Sequence, residues 1–474
     1  MADETIRVEA LVIGAGPGGY VAGIRLGQLK KKALVVEKDK PGGICLNVGC
    51  IPSKALINAS KIFDKIRHGA DIGILADNPR VDMAKMQAWK CDVVSKLTGG
   101  VKTLLKANGC DYRTGLARFV SRNTVELLAQ ESKDGKGKTI ITADHIVVAT
   151  GSRPIEIPGF KFDGNRIVDS TGALDFASVP ERFLVIGGGY IGIEIGTLYA
   201  KLGSKVTVVE ALPNILAGND PEIVQLVARK LKKLGVEVVT GAKAKSWAEK
   251  DGRAAVTVDV GGQDQVIEAD KVLVAVGRRP NSEGLGLEEI GVKIERGGFV
   301  TVDRQLRTNV PGVYAIGDVA GQPMLAHKAS HEAEVVAEVI AGHKAEMDVR
   351  AIPAVIFSDP EVASVGIGAE EATKKGRAVK VGKFPFAALG RAIANADTDG
   401  FVKVVIDAES KEVLGIQVVG NGASDVIAEA ALAIEMGALA DDISLTIHAH
   451  PTLPEAIMEA AKASLGEAIH IVNR

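Results

Sequence analysis

Two cysteines, Cys45 and Cys50, lie five positions apart in Gly42-Gly43-Ile44-Cys45-Leu46-Asn47-Val48-Gly49-Cys50-Ile51-Pro52-Ser53-Lys54. A thiolate is the nucleophile of disulfide exchange, so two thiols in one turn can cycle between dithiol and disulfide. On an ideal helix their Cα atoms would stand ~8.6 Å apart, beyond the roughly 4.4–6.8 Å of a disulfide. A bonded pair therefore requires a distorted turn running into a helix, and Gly49 eases the distortion. So short a bridge closes a tiny loop and adds little stability through loop entropy, which points to chemistry rather than stapling. The spacing alone leaves a second reading open, two unpaired buried thiols. At the far end of the chain, Ile447-His448-Ala449-His450-Pro451-Thr452-Leu453-Pro454-Glu455 gathers two imidazoles and a carboxylate around prolines ahead of a helix. Imidazole titrates near pH 6.5 and moves protons at neutral pH, and a carboxylate can fix its tautomer and raise its basicity. In an arbitrary chain such histidines would more often be packed or surface side chains.

Elements with their own signature surround the cysteines. The apolar run Ala10–Ile13 meets Gly14-Ala15-Gly16-Pro17-Gly18-Gly19, followed by a helical stretch Tyr20–Leu29 and a strand Ala33–Glu37. This is the strand, Gly-x-Gly-x-x-Gly, helix, strand, acid order of a dinucleotide site. Gly14 allows the tight turn, Gly16 lets backbone approach a pyrophosphate, Gly19 lets helix and strand pack closely, and Glu37 can accept from a ribose diol. The helix N-terminus offers N–H groups and partial positive charge to the phosphates. The pattern returns as the strand Arg182–Ile186, Gly187-Gly188-Gly189-Tyr190-Ile191-Gly192, a helix to about Leu202, and the strand Lys205–Glu210. Gly14 to Glu37 and Gly187 to Glu210 span the same interval. Asp144–Thr150 followed by Gly151-Ser152 and Lys271–Val276 followed by Gly277 are matching strand-then-glycine endings, so a whole subdomain is duplicated. Glu210 favours NAD over NADP, since a carboxylate accepts from a free 2′-hydroxyl and repels a 2′-phosphate.

Two fingerprints, the cysteine pair after the first, and the His-x-His-Pro-Thr-x-x-Glu run together resemble the pyridine nucleotide–disulfide oxidoreductases over essentially the full length. The resemblance implies an α/β fold with two Rossmann-like nucleotide-binding domains plus a C-terminal α+β dimerisation domain. It implies a redox-active Cys45–Cys50 disulfide with Cys50 nearer the flavin, His450 as acid/base and Glu455 as its orienting partner, with His448 the lesser candidate. It carries FAD onto Gly14, Gly16, Gly19, Glu37, Lys54, Ala117, Thr150, Gly151, Ser152 and Asp318, and onto the backbone of Met324, Leu325, Ala326 and His327. It carries NAD onto Gly187, Gly189, Gly192, Glu210 and Gly277, and sets Glu194 beside Lys54 near the flavin ring. Without it, Lys54 and Glu194 read as unrelated helix charges, and Asp318 as a helix cap. The implied activity is oxidation of protein-bound dihydrolipoamide to lipoamide with reduction of NAD⁺. The implied partners are a second copy, whose histidine completes each site, and the lipoyl domains and core subunits of 2-oxo acid dehydrogenase complexes or the glycine cleavage system. Ile44 departs from the family's usual Thr. Among rivals, glutathione reductase prefers NADPH, which Glu210 opposes. Mercuric reductase carries a C-terminal cysteine pair, whereas no cysteine follows Cys110 here. A transhydrogenase of this fold lacks the redox cysteines, and a purely structural subunit would not require Cys45, Cys50 and His450 together.

The remaining features set bounds. The 474 residues exceed one core. The expected division is 1–150 for FAD, 151–280 for NAD, 281–350 returning to the FAD site, and 351–474 for dimerisation. Within these, Ser53–His68 and Met83–Ala107 read as helices, the latter loosened at Gly99-Gly100, and Gln130–Lys138 as a hairpin tip. A net charge of −2 with mixed signs suggests neither nucleic acid nor a membrane surface, and no apolar run reaches the ~18 residues of a membrane helix. Four cysteines without metal-ligand spacing and a first strand beginning within about ten residues, with no signal or transit peptide, suggest a reducing, cytoplasmic setting.

Overall fold

Parallel strands buried on both faces build the first nucleotide unit. The structure, a computed structural model, describes residues 4–128 and 138–473. Strand β1 (Glu4–Ile13) ends in Ala10-Leu11-Val12-Ile13, buried on both sides as a covered parallel sheet demands. It is followed by α1 (Pro17–Gln28), β2 (Ala33–Glu37), α2 (Gly43–Val48), α3 (Cys50–Arg67), α4 (Met83–Ala107), β3 (Asp111–Thr114), β4 (Leu116–Ser121), β5 (Thr124–Leu128) and β6 (Lys138–Val148). The sheet order is β3-β2-β1-β6-β5-β4. β3, β2, β1 and β6 run parallel, and β4 and β5 are antiparallel additions. The expected hairpin tip lies, Lys138 apart, outside the described residues. Contrary to expectation, α4 is unbroken through Gly99-Gly100. Each glycine costs a helix only ~1 kcal/mol, and Thr103 Oγ1 donates to the Gly99 carbonyl at 3.1 Å across that turn.

The second unit repeats the plan after β7 (Ser152–Pro154), β8 (Ile167–Val168) and α5 (Ser170–Ala173). It comprises β9 (Arg182–Ile186), α6 (Tyr190–Lys201), β10 (Lys205–Glu210), α7 (Pro221–Lys233), β11 (Glu237–Thr240), a three-stranded antiparallel sheet of β12 (Ala242–Lys250), β13 (Arg253–Val260) and β14 (Gln263–Ala269), and then β15 (Lys271–Val274). The parallel order is β11-β10-β9-β15-β8. β16 (Arg278–Pro280) pairs with β7 and carries the chain back. β17 (Val313–Ala315) then joins the first sheet beside β6, which sets Gly317 and Asp318 at the same sheet end as the first glycine turn. α8 (Ala326–Ala341) follows.

The C-terminal part is an antiparallel sheet, β18 (Ala354–Ile356), β19 (Val362–Gly366), β20 (Val379–Pro385), β21 (Phe401–Asp407) and β22 (Val413–Val419), ordered β18-β19-β22-β21-β20. Around it lie α9 (Ala369–Lys374), α10 (Gly390–Ala394), α11 (Ala423–Glu435), α12 (Ala440–Leu445) and α13 (Glu455–Leu465). Gly382 lets α13 lie directly on β20, since a Cβ there would stand 1.9 Å from the Ala460 carbonyl oxygen. No helix of the described residues is long and apolar enough to cross a membrane.

Candidate active site

The two glycine turns are near copies at atomic detail. Gly14 and Gly187 have φ of +106° and +111°, a region that favours glycine. Their N–H groups donate to Val36 and Val209 at 2.8 Å. A Cβ at Gly19 would stand 1.8 Å from the Gly14 carbonyl oxygen, and one at Gly192 would stand 2.0 Å from that of Gly187, so each helix is pressed onto its own turn. Gly16 and Gly189 have open space where a side chain would be and begin helices with no side-chain cap. Glu37 accepts from Ala15 N–H (2.7 Å) and Asp39 N–H (2.9 Å). Glu210 accepts from Gly188 N–H (2.6 Å) and Leu212 N–H (2.7 Å). A bare helix start, an open glycine and a braced carboxylate suit phosphates and a ribose diol at each turn.

The redox turn is bolted onto the first of these. Gly42 N–H donates to the Ala15 carbonyl at 2.7 Å, and a Cβ on Gly43 would lie 2.6 Å from Gly16 Cα. Between α2 and α3 the backbone breaks at Gly49 (φ −131°, ψ −104°), the distortion that sets Cys45 against Cys50. Both are thiols here, and Cys45 donates to the Cys50 sulfur. That hydrogen bond pulls the Cys50 thiol down to about 7, with burial opposing and the Lys54 ammonium assisting. The same bond, with burial, pushes Cys45 far up. The pair is therefore asymmetric: the charge rests on Cys50 and the proton on Cys45. Elsewhere, burial pushes Cys110 up to about 12, an inert thiol, while Cys91 is exposed on α4.

Both cysteines line a cavity of about 390 Å³ that also reaches Gly16, Gly18, Glu37, Lys54, Thr150, Gly151, Ser152, Glu194, Asp318, Met324 and Ala326. That volume falls within the ~300–1,000 Å³ of small-molecule sites. The cavity thus runs from a helix N-terminus and a ribose-type carboxylate to the sulfurs, a lining that fits a flavin dinucleotide. Tyr190 and Ile191 of the second turn also line the cavity, whereas Gly187, Gly189 and Gly192 with Glu210 and Gly277 lie outside the lining, as do Gly14, Gly19, Leu325, His327 and Ala117. Ala117 is buried in β4, whose neighbouring Gly115 N–H bonds the Glu37 carbonyl. His327 Nε2 contacts the Pro353 carbonyl at 2.8 Å.

No histidine lines the cavity. His450 stands on the C-terminal part with its side chain 78% exposed, and Nδ1 is 2.8 Å from Glu455 Oε1. Glu455 Oε2 accepts from Thr452 N–H at 2.7 Å. Burial pushes the Glu455 carboxyl up, but this N–H and the His450 ring outweigh it and hold it below its ordinary value. Glu455 thus stays ionised, fixes the ring, and favours a proton on Nδ1, while Nε2 makes no hydrogen bond among the described residues. His448 is different: Nδ1 contacts the Thr446 carbonyl (2.9 Å), Nε2 contacts Glu429 (2.8 Å), and its side chain is buried. Leu445 and Ile447, just before His450, are 80% and 96% exposed, large apolar side chains of the kind found at interaction surfaces.

Comparison with known proteins agrees with this geometry. Residues 8–333 match the model of the pyridine nucleotide-disulphide oxidoreductases, and residues 352–461 match the dimerisation domain of the same family. The chain belongs to this family. Among curated relatives, proteins named dihydrolipoyl dehydrogenase from Geobacillus stearothermophilus and Halobacterium salinarum are 53% and 48% identical, each alignment spanning 100% of this chain and 99% of the relative. A crystal structure of LpdA from Mycobacterium tuberculosis superposes with a TM-score of 0.89 at 26% identity, over 96% of this chain and 99% of that one. The flavoprotein disulfide reductase RclA of Escherichia coli, in its Cu(II) complex, gives 0.85 at 25%, over 98% and 99%.

Two residues of the cavity lining, Arg278 and Asn281, escaped the sequence reading. Arg278 donates from Nε to Ser152 Oγ and from a terminal nitrogen to the Ser152 carbonyl, both at 2.8 Å, and Ser152 Oγ donates on to Asp318. Asn281 bonds the Thr150 carbonyl at 3.0 Å, and its own carbonyl accepts from Thr150 Oγ1 at 2.7 Å. The visible signal was Gly277-Arg278-Arg279-Pro280-Asn281, read only as a strand ending. Lys54 and Glu194, apart by 140 positions, do meet, at 2.8 Å.

Proposed function

We propose that the protein is a dihydrolipoyl dehydrogenase, oxidising protein-bound dihydrolipoamide to lipoamide with reduction of NAD⁺ to NADH as a homodimer. The observation that carries this reading is the Cys45–Cys50 pair in one turn on the wall of a cavity that begins at a dinucleotide turn. FAD, held by the Gly14–Gly19 turn, Glu37 and Asp318, supplies when bound the two-electron relay between the cysteines and NAD⁺. The chain's own residues perform the exchange. His450 of the partner subunit takes a proton from one substrate thiol. The resulting thiolate attacks Sγ of Cys45 in the oxidised pair; the Cys45–Cys50 bond breaks and its electron pair leaves with Cys50. A low leaving-group pKa speeds this step, and the Lys54 ammonium favours the thiolate of Cys50. The second substrate thiol then displaces Cys45, closing the lipoyl ring, and its proton passes to Cys45, the thiol whose surroundings hold it protonated; the first proton stays on the histidine and the negative charge on Cys50.

The exposed, Glu455-braced His450, outside a cavity whose lining holds no histidine, supports the homodimer, as does the dimerisation-domain match. This reading keeps the division of the chain at 150, 280 and 350. It takes lipoyl domains and core subunits of 2-oxo acid dehydrogenase complexes or the glycine cleavage system as partners, in a cytoplasmic setting. At the second turn, Glu210 accepts a ribose hydroxyl, and the following Ala211-Leu212 offer no cation for a 2′-phosphate. The test is NADH formation by the purified protein with dihydrolipoamide and NAD⁺, paired with reduced glutathione and NADP⁺. Rapid NADH formation with the lipoyl dithiol alone is expected. Activity confined to glutathione and NADP⁺ would overturn the reading.

A further inference from the structure

Lys54 on α3 and Glu194 on α6 form their ion pair on the wall that holds the cysteines. A third element closes on them. Phe357, next after β18, donates its backbone N–H to Glu194 Oε1 at 2.9 Å, and its ring lies under the Lys54 ammonium with Nζ 4.3 Å from the centroid. Glu194 is fixed: its side chain is 6% exposed and both oxygens are hydrogen-bonded. Lys54 is a point charge on a flexible four-carbon stem, 32% exposed. The electron-rich ring face is its second anchor. Lys54 stands one turn beyond Cys50 on α3, at i and i+4 on the same helix face, and both line the cavity; with Cys45, Glu194 and Tyr190 as the other titratable groups bearing on this site, Lys54 is the cation among them.

We infer that Phe357 is a positioning residue for the redox pair: its ring and backbone hold the Lys54–Glu194 pair so that the ammonium bears on Cys50. The C-terminal sheet thereby tunes the thiol that leaves in the exchange, in addition to presenting His450. The consequence for turnover rests on the proposed function; the electrostatic effect rests on the geometry alone.

The test follows thiolate ultraviolet absorbance against pH in the reduced holoenzyme of wild type, Phe357→Leu, Phe357→Met and Phe357→Tyr, each with its Cys50→Ser counterpart as baseline. NADH formation from dihydrolipoamide is measured over the same pH range. Leu and Met, apolar but ringless, are expected to raise the Cys50 midpoint by about half a pH unit and to move the turnover profile with it. Tyr, which keeps the ring, leaves both in place. Lys54→Met, as the positive control, raises the midpoint further. An unchanged midpoint in the folded ringless variants, or an equal shift in Phe357→Tyr, overturns the positioning role even where turnover is intact. A shifted midpoint in a protein that never oxidises dihydrolipoamide upholds the role and removes the substrate reading.

Discussion

At the residue scale, the proposed chemistry divides between a thiol pair that stores two electrons and an imidazole that moves a proton. His450→Ala is expected to lower turnover by roughly 10²–10⁴, the usual contribution of a positioned acid/base, while the protein stays yellow with bound flavin. Glu455→Ala is expected to cost ~10-fold or more, and less than removal of the ring. Near-normal steady-state rates in His450→Ala would take the ring out of the mechanism. The pH dependence follows from Cys50. With its thiol drawn down to about 7, the reduced pair carries its thiolate above that pH and loses it as pH falls through it. Thiolate absorbance should accordingly titrate near 7, and a midpoint at the ordinary thiol value of ~8.5 would contradict the asymmetry. Glu210→Ala is expected to raise the KM for NAD⁺ about tenfold and to narrow the preference over NADP⁺. The residues that were legible are those whose type and spacing carry a local mechanism: glycines in a turn, a carboxylate at a strand end, two thiols in one turn. Arg278 and Asn281 were not, because their partners Ser152 and Thr150 lie 126 and 131 positions away and nothing in the local pattern announces a contact at that range.

At the element scale, duplication is what makes the fold readable. β2, β9 and β10 run between the same residues in structure and sequence because each is an apolar run bounded by glycine or charge. Two helices begin three residues earlier than their sequence suggests, α3 at Cys50 and α1 at Pro17, whose fixed φ suits a first helical turn, while α4 spans Met83–Ala107 as read. The antiparallel β12–β14 sheet carries a period-two signal, Ala254, Val256 and Val258, all buried, that fingerprint spacing does not capture. The duplication also separates the two sites experimentally. Gly19→Ala would drive a Cβ into the Gly14 carbonyl, and Gly192→Ala would drive one into that of Gly187. The first is expected to yield protein depleted of flavin. The second is expected to stay yellow with the KM for NAD⁺ raised ~10²-fold, the scale of an ångström-sized misplacement. Flavin absorbance and NAD⁺ kinetics check both, and equal flavin loss in the two variants would contradict the assignment of one dinucleotide to each turn.

At the scale of the whole molecule, the proposed function divides the active site between two subunits. The cavity that holds Cys45 and Cys50 has no histidine in its lining, and the one imidazole braced by a carboxylate at a proline-bounded helix start faces outward beside Leu445 and Ile447. The long-range arrangement was legible only through resemblance, since 400 positions of intervening chain carry no local sign of which surfaces meet. Mixed dimers of Cys45→Ser and His450→Ala chains, isolated by two affinity tags, test it most directly. Each homodimer lacks a required group and is expected to be inactive. In the mixed dimer, the intact cysteine pair of one chain meets the intact histidine of the other, so one site of the two is whole. Dihydrolipoamide-dependent NADH formation at about half the wild-type rate per dimer is the expected result. A mixed dimer as inactive as its parents would contradict a dithiol exchange completed by the partner subunit.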